Sequence, residues 1–349
     1  MNITSAEHQN HYPEFPSLSY RPSKSQGDRV TAAGAICLAV FQPDRDLLSK
    51  QLASIRQQTI SDWSCLIGID GRDDRTSDLV HQLVGGDARF HVRTYETNVG
   101  FYRNFERLLA AVSRDVSWVA LADQDDYWYA NKLEVLTGLL LSSPTCMIAS
   151  GQARIVRGLG GVSEHTRRRF HSPVDLIFNN MITGSFVVFR PAVLDGALPF
   201  PPATDVAYHD HWIGVCASLY GTVQTVRVPL QDYVQHGNNV VGEASRKSLS
   251  RKWNDLRRGS TTPLQAIEYL VRHRWGWRVS MAELALDRMP TTASAPLQDR
   301  RDCELVARGR PSFRLGYLLV RSGLRRATPP VRVLSHFVGM LVFRRSLSR

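Results

Sequence analysis

From Thr31 onward the chain alternates short apolar runs with stretches whose apolar residues recur every three or four positions. AAGAICLAVF (32–41) is a nearly continuous apolar run closed by Pro43, which predicts a buried strand. In LLSKQLASIRQQT (47–59), Leu48, Leu52 and Ile55 fall at helical spacing. SCLIGID (64–70) predicts a second buried strand, and TSDLVHQLV (76–84) a helix with Thr76 or Ser77 as its N-cap. FHVRTYE (90–96), FYRNFERLLAAV (101–112) and WVALAD (118–123) continue as strand, helix and strand. This rhythm predicts an α/β fold: a Rossmann-like, mostly parallel sheet flanked by helices. Ligands of such sheets bind at the carboxyl ends of the strands, where Asp70 and Asp123 both fall.

Beyond residue 130 the pattern predicts a helix at 132–141, one or two strands at 145–156 and a mobile basic loop at 158–170. A strand at 179–190, a helix at 211–221 closed by Gly221 and an extended piece at 223–236 complete this part. From about residue 246 the texture is helical and Arg-rich. LSRKWNDLRRG (249–259), YLVRHRWGWRVSMAELAL (269–286) and PPVRVLSHFVGMLVFRRSL (329–347) each read as an amphipathic helix. The expected organisation is a polar, disordered tail (1–30), an α/β domain (31–245, divided at about 126/127) and a basic helical extension (246–349).

Composition changes this picture only through where the charge sits. The chain carries 43 Lys+Arg against 32 Asp+Glu, a net charge of +11 that by itself suggests nucleic acid. Residues 1–245 sum to −4, however, and residues 246–349 to +15. The positive charge belongs to the extension, and no RNA- or DNA-binding motif accompanies it. Amphipathic Arg-rich helices suit an anionic membrane surface, or else a lid packed on the α/β domain with a solvated Arg face. The five cysteines are dispersed, without CxxC spacing, which points to a reducing compartment. No apolar run is long enough to span a bilayer, and the polar N-terminus lacks a signal-peptide pattern. The expected location is cytoplasmic, with a peripheral position on the inner face of the cell membrane as an option.

The sharpest local signal is LADQDDYW (121–128), where Asp123 and Asp125 are presented by a turn directly after an apolar strand. Alternating carboxylates there suit Mg²⁺ or Mn²⁺, hard cations whose coordination phosphate oxygens can complete. The alternative is an acidic first turn of a helix. His209-Asp210-His211 could form a zinc site with His236, although the apolar residues that follow are helically spaced and would splay the two histidines apart.

Several segments in order resemble the inverting GT-A glycosyltransferases of family 2, especially their rhamnosyltransferase-like branch. They are AICLAVFQPDRDLLSKQLASIRQQT (35–59), IGIDGRDDRT (67–76), ETNVGFYRNFERLL (96–109), LADQDDYW, NMITGSFVVF (180–189), YHDHWIGVCASLYG (208–221) and YVQHGNNVVG (233–242). Three positions depart from the family pattern: Gln42 near a usual Asn, Arg72 near a usual Ser, and Ile69 where a second acidic residue often precedes Asp70.

The resemblance implies a metal-dependent transfer from a pyrimidine nucleoside diphosphate sugar, dTDP-rhamnose or a UDP-sugar, to a surface polysaccharide or lipid-linked glycan. It implies that Asp70 contacts the base, Asp123 the ribose and Asp125 the metal, with His236 as a further metal or diphosphate ligand. Asp210 would be the general base. Asn98 and Arg103 are candidates for the donor site, against the reading of a turn Asn and a solvated helix face. Thr183, Gly184 and Trp212 are candidates on the acceptor side, Trp212 against a packing role. The rival of another class is a catalytically silent GT-A-like scaffold subunit, which the intact set Asp70, Asp123, Asp125 and Asp210 opposes.

Overall fold

A computed structural model describes residues 33–157, 161–203, 207–235 and 274–343. The expected tail, the 249–259 helix and His236 lie outside these residues. The first half follows the predicted rhythm: β1 (Gly34–Val40), α1 (Arg45–Arg56), β2 (Trp63–Ile69), α2 (Asp74–Val84), β3 (Phe90–Thr94), α3 (Gly100–Ala110) and β4 (Trp118–Ala122). β1 pairs in parallel with β2 on one side and β4 on the other, and β2 with β3. The chain thus moves outward from β1 to β3 and then returns to β4. The crevice where that direction reverses opens at the carboxyl ends of β1 and β4.

β1 and β4 are buried on both faces, which is why their sequences are apolar at every position rather than alternating. Gly34 is required where the strands begin, because a Cβ there would lie 2.0 Å from the Trp118 indole. α1 starts at Asp44, whose carboxylate accepts the amides of Asp46 and Leu47. α2 is capped by Asp73 rather than by Thr76 or Ser77. The Asp73 carboxylate accepts from the Arg75 amide and the Thr76 hydroxyl, so Thr76 supports the cap from inside the helix.

The second half comprises β5 (Tyr127–Trp128), α4 (Lys132–Leu141), β6 (Cys146–Arg157), β7 (Gly161–His165), α5 (Pro173–Phe178), β8 (Val187–Phe189), α6 (Leu194–Ala197), α7 (His209–Tyr220) and β9 (Thr222–Gln235). The sheet order is β3-β2-β1-β4-β8-β6-β9-β5, with β7 on β6, parallel through β3-β2-β1-β4 and mixed beyond. Two expectations are corrected here. The basic segment 158–170 contains β7, which pairs with β6. The strand expected at 179–190 shrinks to Val187–Phe189, because a 3₁₀ turn at Gly184–Phe186 interrupts it.

Among the described residues four further helices follow: α8 (Gly276–Asp287), α9 (Leu297–Ala307), α10 (Phe313–Leu324) and α11 (Pro330–Val342). One core cluster on the α3 and α7 face of the sheet contains Trp275, Trp277, Met281, Cys303, Leu318 and Met340. The described part of the extension therefore packs into the α/β core as a lid. α1, α2 and α4 cover the opposite face around a separate cluster. No described helix is long and apolar enough to cross a membrane.

Candidate active site

Because β1, β2 and β4 run in parallel, the residues that leave them meet at one edge. Gln42, Asp70, Asp123 and Asp125 line a single cleft of about 1300 Å³. Asn98, Thr183, Gly184 and Asp210 line the same cleft. It therefore brings together the expected donor carboxylates, the expected base and two of the three acceptor-side candidates.

Asp70 is almost completely buried. One of its oxygens accepts the Val99 amide at 2.9 Å, and the Arg107 guanidinium lies 3.8 Å away. Arg107, an ion-pair partner of Asp70 that does not itself line the cleft, is not singled out by the sequence. Its i+3 spacing from Asn104, whose amide donates to the Gly68 carbonyl, puts both on the α3 face toward β2. Asn98 is a turn Asn that also lines the cleft: its oxygen accepts the Gly100 amide at 3.0 Å. Arg103 is not among the lining residues. Its guanidinium pairs with Glu106 and reaches the Phe200 carbonyl. Arg72 pairs with Glu96 at the surface.

The middle residue of the D-x-D turn has its own task. The Gln124 amide accepts from the Phe41 N–H at 2.8 Å and donates to the Phe41 carbonyl at 3.0 Å, stitching the end of β1 to the turn after β4. Burial and the charge of Asp125 push the Asp123 carboxyl up to about 7, and Asp210 adds to the effect. Beneath the turn, Asp126 accepts from Gln231 at 2.7 Å, while the buried Lys132 ammonium donates to Gln231 and to the Ser185 carbonyl, both at 2.5 Å, and sits over the Trp128 ring. Burial followed by the charges of Asp123 and Asp125 pushes Asp126 up, and burial pushes Lys132 down. This network went unrecognised in the sequence, although Asp126 adjoins the motif and Lys132 opens the next helix.

Asp210 occupies the first turn of α7. Its Oδ1 accepts from the Asn180 side chain at 3.0 Å and from the His211 amide at 2.6 Å, and its Oδ2 from the Gly184 amide at 3.2 Å. Gly184 allows this approach because a Cβ there would come within 2.7 Å of His209 Nε2. The flanking histidines turn to different partners, as their helical spacing predicts. His209 stacks on Phe105 at 4.0 Å, and His211 bonds the Leu176 carbonyl at 2.6 Å. Among the described residues no three His, Cys, Asp or Glu side chains gather as metal ligands. Trp212 is fully buried, with its indole N–H donating to the Ala197 carbonyl, so it packs the core and stays out of the cleft.

Two proximal, partly buried carboxylates whose charges oppose each other fit a divalent cation that phosphate and water would complete. A parallel nucleotide-type half-sheet, a carboxylate turn at its switch point and an oriented carboxylate across the cleft define a GT-A-type transferase. Residues 36–190 match the family described as Glycosyl transferase family 2. The chain is 26% identical over 245 residues to an uncharacterized glycosyltransferase of Nostoc sp., covering 67% of this chain and 75% of that protein. It is 22% identical over 228 residues to the UDP-Glc:alpha-D-GlcNAc-diphosphoundecaprenol beta-1,3-glucosyltransferase WfgD of Escherichia coli, covering 65% of this chain and 86% of that one. In fold it is similar to S. aureus TarS in complex with UDP, with a TM-score of 0.52 at 14% identity, covering 79% and 91% of the two chains.

Proposed function

We propose that the protein transfers a sugar, with inversion, from a pyrimidine nucleoside diphosphate donor to a hydroxyl of a lipid-linked or surface glycan. The observation that carries this reading is the cleft itself, which sets Asp123 and Asp125 at the end of β4 against Asp210 at the start of α7. Asp70 receives the pyrimidine base and Asp123 the ribose. Asp125 would hold Mg²⁺ or Mn²⁺, with His236 as a further candidate ligand, and such a cation would supply positive charge to offset that of a departing diphosphate. Asp210 takes the proton of the acceptor hydroxyl, whose own pKa is far above neutrality. Asn180 and the Gly184 amide fix the orientation of that carboxylate, and Thr183 borders the acceptor.

The name of the Escherichia coli relative supports a UDP-sugar donor and a diphosphate-linked acceptor. The motif resemblance supports dTDP-rhamnose as the second donor reading. Such an acceptor would place the enzyme on the cytoplasmic face of the cell membrane. The surface supports that position: Phe313, Tyr317, Val320 and Leu324 form an exposed apolar stripe on α10, flanked by exposed Arg310, Arg314, Arg325 and Arg326.

A panel of nucleotide sugars, scored by thermal shift with Mg²⁺ or Mn²⁺, identifies the donor without the acceptor. Stabilisation by a UDP- or dTDP-sugar that depends on the metal and is lost in Asp125→Ala is the expected result. Equal stabilisation without metal, or by purine nucleotides alone, would refute the donor assignment.

A further inference from the structure

The C-terminal helical part of the chain adds positive charge to the lining of the cleft. Arg274, two residues before α8, and Arg278, four residues further on and within it, line the cleft together with Arg332 from the first turn of α11. Arg278 is 7% exposed, and its Nε and Nη1 have no hydrogen-bond partner among the described residues. Arg332 donates through Nη1 to Asn179, whose own amide holds the Ala327 carbonyl at 2.6 Å. Among the described residues none of the three arginines pairs with a carboxylate.

Burial of uncompensated positive charge is unfavourable. Burial, followed by the charges of Arg332 and Arg274, pushes the Arg278 guanidinium down to about 9, so it remains charged at neutral pH. The neighbouring His336 adds no charge, because burial and the three arginines push its imidazole down to about 3. Helix polarity deepens the field. The first turn of α11 contains no acidic residue, although acids are favoured at that positive end and cations are not. The arrangement is adverse for folding and suited to an anion.

The position relative to Asp210 is fixed by neighbouring residues. Asn179 grips Arg332 while Asn180 grips Asp210. The donor carboxylates Asp70 and Asp123 leave the sheet edge, whereas the three arginines come from the C-terminal helical part of the chain. We propose that Arg274, Arg278 and Arg332 form a diphosphate-binding site that holds the phosphate-linked end of the acceptor and presents its sugar hydroxyl to Asp210. Planar guanidinium forks match phosphate oxygens in pairs, which an apolar or neutral polar wall could not do. The proposal rests on the transferase reading above.

The test uses the full chain, with inorganic pyrophosphate as the probe in a metal-free, EDTA-containing buffer, followed by calorimetry and thermal shift. Pyrophosphate is expected to bind and raise the Tm of the wild type. Arg278→Met should weaken its binding at least about tenfold, leave the shift given by UDP with Mn²⁺ unchanged, and raise the Tm of the unliganded protein by removing a buried charge. Arg332→Gln, at a less buried position, should show the same selective loss and serves if Arg278→Met does not fold. Pyrophosphate binding unchanged within twofold in the variants, or an equal loss of UDP binding, would overturn the proposal. Binding of UDP with Mn²⁺ to a wild type that ignores pyrophosphate would overturn the arginine site alone. Absence of any nucleotide diphosphate binding would overturn the transferase reading itself. Geranyl diphosphate separates the two sources of the anion: binding at least tenfold tighter than pyrophosphate assigns the site to a lipid-linked diphosphate, and equal binding assigns it to a diphosphate without lipid.

Discussion

The Asn180 side-chain amide donates to Oδ1 of Asp210 at 3.0 Å, while the Gly184 amide donates to Oδ2 at 3.2 Å. Each carboxylate oxygen is thus held by a donor from the segment after α5. Asn180→Ala should lower kcat about 10- to 100-fold with little change in donor KM, since it loosens the orientation of the base without touching the nucleotide. Asp210→Asn should lower kcat by about 10²- to 10⁴-fold while nucleotide binding persists. Steady-state kinetics with a nucleotide-binding control checks both, and an active Asp210→Asn protein would exclude Asp210 as the base.

Gly184 lies between His209 and Asp210 with no room for a methyl group. Gly184→Ala should displace the start of α7, reduce transfer at least about tenfold and lower the Tm, because the contact is with a buried ring that Phe105 holds in place. A variant with wild-type activity would show that the turn has slack.

Lys132→Met leaves the Ser185 carbonyl and the Gln231 amide oxygen without their donor beneath the D-x-D turn. The expected loss of stability is about 3 kcal/mol, measured by urea denaturation. Addition of Asp126→Asn should recover part of it, because Asp126 and Lys132 share Gln231 and couple through charge. Strict additivity of the two changes would show that the network does not act as a unit.

Strand ends make most of this site legible in the sequence. Asp70 and Asp123 were found because a parallel sheet sends the end of every strand to one edge, so apolar runs followed by Asp locate the crevice. Helical residues were harder. Arg103 and Trp212 sit beside site residues in the chain, yet one turns to Glu106 and the other into the core, since a rotation of 100° per residue separates neighbours. Thr183 and Gly184 were found as a motif, but the 3₁₀ turn that bends them toward Asp210 leaves no periodic trace in three residues. The arginine wall was illegible for a different reason. Arg274, Arg278 and Arg332 stand among many arginines, and only tertiary packing decides which of them face inward.

The pH dependence of stability has a source remote from the cleft. Hydrogen bonding to Arg89, with Arg56 also close, holds the Asp87 carboxyl down to about 2. A depressed folded value stabilises above the unfolded value near 4, and that contribution fades as pH falls through about 2. Partial exposure and salt screening limit it to about 1 kcal/mol. Asp87→Asn should therefore destabilise at pH 6, with the gap to wild type closing toward pH 2. A gap independent of pH in urea titrations would assign the effect to packing.

α10 is apolar on two sides: Leu315, Leu318 and Leu319 are buried, whereas Phe313, Tyr317, Val320 and Leu324 face outward. A helix apolar on its outward side as well suits a second apolar environment, and the exposed arginines at both ends of the stripe favour one that is anionic. The full chain should sediment with vesicles containing phosphatidylglycerol at low salt and far less with neutral phosphatidylcholine vesicles. Replacing Phe313, Tyr317 and Leu324 together by Ser should abolish sedimentation while leaving the Tm nearly unchanged, because none of the three side chains belongs to the core. Failure of the wild type to sediment, or sedimentation that survives the triple change, would remove the membrane from the proposed function.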